Sequence, residues 1–162
     1  MAHRYSASIA AAQPSVGCAY AEMLAGASKS VSVRAIRVTT LSALGGEVAL
    51  ERAYSVGTGA ATGIATGVSH RLASSPTTSA RLQAAWTSSG ITPTGYGSSL
   101  RGTVLGAATG TTYDLWRADD GPLVLEPSES LVLLRRGSGS GLATGAALRV
   151  DITWEEGPSS DH

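Results

Sequence analysis

This chain has no phenylalanine, one cysteine, one lysine and three histidines among its 162 residues. A single thiol, Cys18, permits no disulfide within the chain and cannot supply a cysteine-based metal site. His3, His70 and His162 are scattered along the chain. They form no His-x-His or His-x-x-x-His spacing, so neither a metal nor another cofactor is expected. Formal net charge is zero, with 12 basic and 12 acidic residues in no block of one sign. That balance points to neither a nucleic-acid partner nor a polybasic membrane patch. No apolar run approaches the length of a membrane span. Three Trp and five Tyr must supply the aromatic part of the core. The rest falls to Val, Leu, Ile and many Ala, which makes a thin core that gains from association.

What the sequence does contain is alternation. From Leu148 to Glu155, Leu148, Val150, Ile152 and Trp154 take one side and Arg149, Asp151, Thr153 and Glu155 the other. A period of two marks a strand with one buried and one wet face. Before it come Leu123-Val124-Leu125, a Glu126-Pro127-Ser128-Glu129 turn, and the apolar run Leu131 to Leu134. Upstream, Arg4 to Ala11, Cys18 to Ala25, Ser30 to Thr40, Val48 to Tyr54, Arg81 to Ser88, Ser99 to Leu105 and Tyr113 to Trp116 also read as strands. In the third of these the apolar phase slips by one at Ala35-Ile36, between Arg34 and Arg37. A β-bulge does that, and so does burial of both faces. About nine or ten short strands at regular spacing, with no convincing amphipathic helix, predict an all-β fold. Long crossing connections beside short hairpins favour a jelly-roll sandwich of eight to ten antiparallel strands, a single domain over residues 1–156.

Residues 57–80 are rich in Gly, Ala, Thr and Ser and predict a long connection without structure of its own. Residues 157–162 predict a flexible polar tail. The start, with His3-Arg4, Ala7 to Ala12 and Ser15 to Cys18, has the outline of a lipoprotein signal. Gln13 and Pro14 break its apolar part, and a strand, a Pro turn and a second strand is the better reading.

Catalytic signatures are few in this sequence. Gly137-Ser138-Gly139-Ser140-Gly141 matches a nucleophile elbow by letters, but it sits in a hairpin tip between strands rather than before a helix. Glu155 and Glu156 are adjacent on a strand and face opposite ways, so they cannot flank one bond. Asp119-Asp120-Gly121 reads as a turn rather than a calcium loop. Arg34, Arg37, Arg135 and Arg136 lie on strands or strand ends. Cross-strand pairing with Glu47, Glu51, Asp151 or Glu155 is one reading. A subunit interface, where Arg is favoured over Lys, is the other.

The order of these motifs resembles a known group. Tyr5 to Ile9 opens, Tyr20 to Leu24 and Val31 to Ile36 follow, and Ala84-Ala85-Trp86-Thr87 precedes a Pro-containing loop and Leu100-Arg101. Tyr113-Asp114-Leu115-Trp116 leads to Pro122 through Pro127, Ser130 through Leu133, and a terminal Val150 through Glu156. Over nearly its whole length the chain resembles the small jelly-roll structural proteins of tailed bacteriophages, especially those of actinobacterial hosts. Ser128 stands where such a turn more often has Gly, which a type I turn tolerates. The resemblance implies a non-enzymatic capsid decoration protein, made in the host cytoplasm and carried on the virion exterior. It further implies a homotrimer bound to the major capsid protein. Besides the arginines, Ile64 and His70 in the 57–80 connection are expected to face a partner. The alternative is a receptor- or glycan-binding tip of a head or tail fibre, for which Tyr96 and Tyr113 are the expected ligand-facing aromatics.

Overall fold

A computed structural model describes residues 3–11, 19–43, 45–53, 61–70, 77–86, 100–136 and 147–157. Twelve strands lie within them: β1 (His3–Ala11), β2 (Ala19–Leu24), β3 (Ser30–Thr40), β4 (Gly46–Ala53), β5 (Ala61–Thr66), β6 (Val68–Ser69), β7 (Arg81–Trp86), β8 (Arg101–Leu105), β9 (Thr112–Arg117), β10 (Leu123–Leu125), β11 (Ser130–Arg136) and β12 (Leu148–Gly157). Among the described residues the single helical piece is a 3-10 turn, Ala118–Asp120, and no helix is long and apolar enough to cross a membrane.

The pairing is that of an antiparallel ribbon rolled on itself. β1 pairs with β12, β2 with β11, β3 with β9 and β10, and β4 with β8. Rolling brings β12 against β3 and β11 against β4. Two sheets result, one built on β1-β12-β3-β9 and the other on β2-β11-β4-β8, each with six strands in all. Successive strands from β1 to β4 alternate between the sheets, the nested Greek-key order of a jelly roll. The all-β sandwich expected from period-two patterning is therefore the fold.

Of the remaining strands, β7 falls where Arg81 to Ser88 predicts one, whereas β5 and β6 come from a stretch expected to lack structure. Residues 61–66 and 68–69 are strands, not an unstructured connection. β7 adds to β2, β5 adds to β7, and β6 adds to β1, so the insertion between β4 and β8 extends one edge of both sheets. Small residues allow this. Gly67 crosses over the Tyr5–Trp154 pair, and a Cβ there would stand 2.5 Å from the Trp154 ring. Gly157, expected in the tail, is instead the last residue of β12 and pairs with Ser30.

The core lies between the sheets. Trp154, Tyr5, Tyr20, Met23 and Leu131 are among its fully buried side chains. The Tyr5 and Trp154 rings stack at 6.0 Å between centroids and 29° between planes. The phase slip in β3 is a bulge: Ala35 faces Thr153 but Val33 faces Trp154, which leaves Arg34 as the extra residue. A second bulge at Leu133/Leu134 turns Tyr20 inward. The strands β2, β11 and β4 are buried on both faces, with Glu22, Val132, Leu134, Ala49 and Glu51 on the outer side all buried. Burial on both faces is what an unbroken apolar run such as Leu131 to Leu134 requires.

The Pro127-Ser128 turn corrects a second expectation. Glu129 N–H donates to Glu126 O at 2.9 Å, closing a four-residue turn. Ser128 has φ of 69°, the left-handed value that a type II turn needs at its third position and a type I turn does not.

Candidate interaction face

The outward side of β1, β12, β3 and β9 carries a dense set of ion pairs among the described residues. Cross-strand register sets its rows. Arg4 lies beside Glu155, Ser6 beside Thr153 and Ala35, Ser8 beside Asp151 and Arg37, and Ala10 beside Arg149 and Thr39. β9 adds Asp114 beside Arg37 and Arg117 beside Ala35. Alternation sends Tyr5, Ala7, Val150, Ile152 and Trp154 into the core, so the intervening polar residues must face out.

Each carboxylate on this face holds arginine. Glu155 Oε1 accepts from Arg4 at 2.8 Å and its Oε2 from Arg34 at 2.6 Å. Asp114 Oδ1 accepts from Arg37 Nε at 2.8 Å, and its Oδ2 accepts from Arg117. Asp151 Oδ2 accepts from Arg149 Nε at 3.3 Å. Partial burial acts to raise the Glu155 pKa, but the Arg34 and Arg4 bonds outweigh it and hold the carboxyl below its ordinary value. The Arg117 and Arg37 bonds lower Asp114 in the same sense. At the neighbouring corner Arg101 forks onto Asp120 at 2.9 Å for both bonds and lies 5.7 Å from the Trp116 ring centre.

The residues singled out from sequence fall in different places. Arg34 and Arg37 share this face and both make ion pairs; Arg34 takes Glu155, one of its expected partners, while Arg37 takes Asp114, which was not among them. Arg135 is not on a surface: it is buried at the end of the sandwich interior, near Tyr20. Burial pushes the Tyr20 pKa up to about 12, against the opposing pull of Arg135. The backbone of Arg136 lies on β11 opposite Glu47, and that of Ile64 lies on β5 opposite Gln83. His70 is exposed at the edge of the face, with Nε2 3.0 Å from Ser6 Oγ and its N–H donating to Arg4 O. Tyr113 is half-buried, and its hydroxyl accepts from Gly106 N–H at 2.7 Å. Tyr96 lies outside the described residues.

Beside His70 the face dips into an open groove of about 340 Å³ between β1 and the insertion, with Ser6, Ser8, Thr66 and Asp151 on its walls. Exposed Val68 stands at its rim.

One functional group of the fold had no sequence signal beyond its parity on the strand. Glu156 points inward and is buried. It accepts from Ser79 N–H at 2.9 Å, Ser79 Oγ at 3.0 Å, Ala80 N–H at 2.9 Å, Trp154 Nε1 at 3.1 Å and the Thr78 hydroxyl. Lys29 Nζ stands 3.9 Å away. Burial alone would raise its pKa, yet these donors together lower it. The carboxylate therefore fastens the 78–80 segment, and with it the start of β7, to the end of β12. Apart from Trp154, these donors come from residues 76 to 78 positions away in sequence, which no local spacing reveals.

Among the described residues no group of three His, Cys, Asp or Glu side chains is placed to hold a metal ion. No protein-family model, no curated protein and no solved structure matches this chain.

Proposed function

We propose that this chain is a non-enzymatic structural protein of a virion, a decoration protein that binds the major capsid protein as a homotrimer and stabilises the shell. The observation that carries this reading is the jelly-roll topology, in which most of the motifs resembling phage decoration proteins fall on the strands of one rolled ribbon and Ala84-Ala85-Trp86 falls on β7 beside it. Mechanistically, three copies around a symmetry axis each contribute a modest contact. Their linkage turns the second and third contacts into intramolecular events, so the attachment outlasts any single contact. Such a clamp across neighbouring capsid subunits resists outward pressure from packaged DNA.

Cryo-electron microscopy of the particle that carries the chain tests this. Trimeric density over the shell at symmetry axes is the expected result. Density confined to a fibre or tail tip overturns the decoration reading in favour of receptor or glycan binding.

A further inference from the structure

We propose that the outward face of β1, β12, β3 and β9 docks an acidic protein surface, which in the decoration reading, on which this rests, is the outside of the capsid shell. Five arginines and three carboxylates occupy the face, so five minus three leaves two positive charges on a chain whose formal net charge is zero. The two signs also lie at different depths. The arginine side chains keep 42% to 67% of their surface exposed, whereas Glu155, Asp114 and Asp151 keep 16%, 25% and 36%. An approaching surface meets guanidinium first.

These guanidinium groups are held in position beforehand. Arg37 and Arg149 each bond their carboxylate through Nε while their side chains stay more than half exposed, so donors beyond Nε remain for a partner. Ordering long side chains before contact removes part of the entropy cost of binding. Between the arginines the outward positions are Ser6, Ser8, Ala10, Thr153 and Ala35, all small. A flat partner can therefore come close enough for direct charge-assisted bonds.

Three strand spacings of about 4.8 Å and three same-face steps of about 6.8 Å give roughly 14 by 20 Å. That is about 300 Å², below the ~800 Å² per partner of a standard interface. One copy alone holds weakly, and the contact needs repetition in an oligomer. Nucleic acid is the less suitable occupant, because three fixed carboxylates sit among the arginines and repel a phosphate backbone.

The test uses the full chain and empty shells of the phage, prepared without it, with binding read by co-sedimentation at about 0.05 M and about 0.3 M salt. The variant is Arg4→Gln/Arg37→Gln/Arg149→Gln, which leaves Arg34 on Glu155 and Arg117 on Asp114. A matched control, Arg81→Gln, removes an exposed charge from the other sheet. Thermal melts of both confirm folding. The expected result is that the triple variant loses about tenfold or more in affinity, that the control does not, and that wild-type binding weakens with salt. If wild type binds and the triple variant binds equally well, this face is not the docking surface and the decoration reading stands. If wild type does not bind, both fall. Wild-type binding to duplex DNA in a gel-shift assay, lost in the triple variant, overturns the assignment in favour of nucleic acid.

Discussion

Trp154 donates its indole N–H to Glu156, two residues further along the same inward side of β12, at 3.1 Å. The pair joins the main core to the segment that begins β7, since the same carboxylate takes the donors of Thr78, Ser79 and Ala80. A buried charge is tolerated only where it is fully bonded, and here the donors surround it.

Glu156→Gln keeps the shape but replaces one acceptor oxygen with an NH₂ that faces N–H donors. The expected loss is about 2–4 kcal/mol in urea unfolding. Because the folded-state pKa of Glu156 is depressed, its stabilisation is present above the unfolded value and is lost as pH falls through the folded value. Wild-type stability should therefore decline below about pH 4.5, and the variant should decline less steeply there. Parallel slopes would show that Glu156 is not the group being protonated.

Gly67→Ala places a methyl 2.5 Å from the Trp154 ring and 3.0 Å from Tyr5 Cβ. Overpacking of this kind costs about 1–3 kcal/mol. Near-ultraviolet circular dichroism should report a disturbed tryptophan alongside the lowered Tm.

Ser128→Gly should stabilise the fold by about 0.5–1 kcal/mol, since φ of 69° strains an L side chain and not glycine. The gain is smaller than the relieved strain because glycine also loses more freedom on folding. A neutral or negative shift in Tm would show that the Ser128 side chain compensates for its own backbone.

Tyr20 gives the alkaline counterpart of Glu156. With its pKa pushed from 10.0 to about 12, its stabilisation is full below the unfolded value and is lost as pH rises through the folded one. Tyr20→Phe should flatten the loss of stability between these values, measured by unfolding at stepped pH.

Arg34→Ala and Arg37→Ala should each change stability by less than about 1 kcal/mol, because exposed ion pairs contribute little. Chemical denaturation distinguishes this from a load-carrying ladder, for which losses of several kcal/mol would appear. A small effect on stability is also what makes these arginines useful in binding experiments.

The parts of this fold legible in sequence were those with local signatures. Alternation from Leu148 to Glu155 fixed which side chains of β12 go inward, and the slip at Ala35-Ile36 marked the bulge at Arg34. Residues 61–69 escaped notice because edge strands of Gly, Ala and Thr carry no hydrophobic period. They are strands because β7 and β1 offer backbone partners, and a partner supplied by the fold leaves no mark on the segment itself. Ser128 misled for a related reason: a residue type reports what a turn prefers, not the φ imposed by the strands on either side. The arginine face was half visible. Four arginines could be suspected, but only the register of β1, β12, β3 and β9 showed that Arg4, Arg117 and Arg149 join Arg34 and Arg37 while Arg135 is buried.

The pairing of β1 with β12 also governs when this molecule can fold. Arg4 and Glu155 are direct neighbours although 151 residues separate them, so β1 has no main partner on its β12 side until the last strand has been synthesised. Closing so distant a pair comes at an entropic disadvantage that local contacts cannot offset early, which places the chain among slow folders. A nascent or truncated chain lacking β12 would present β1 and β3 as open edges, where another unfinished copy could pair with them.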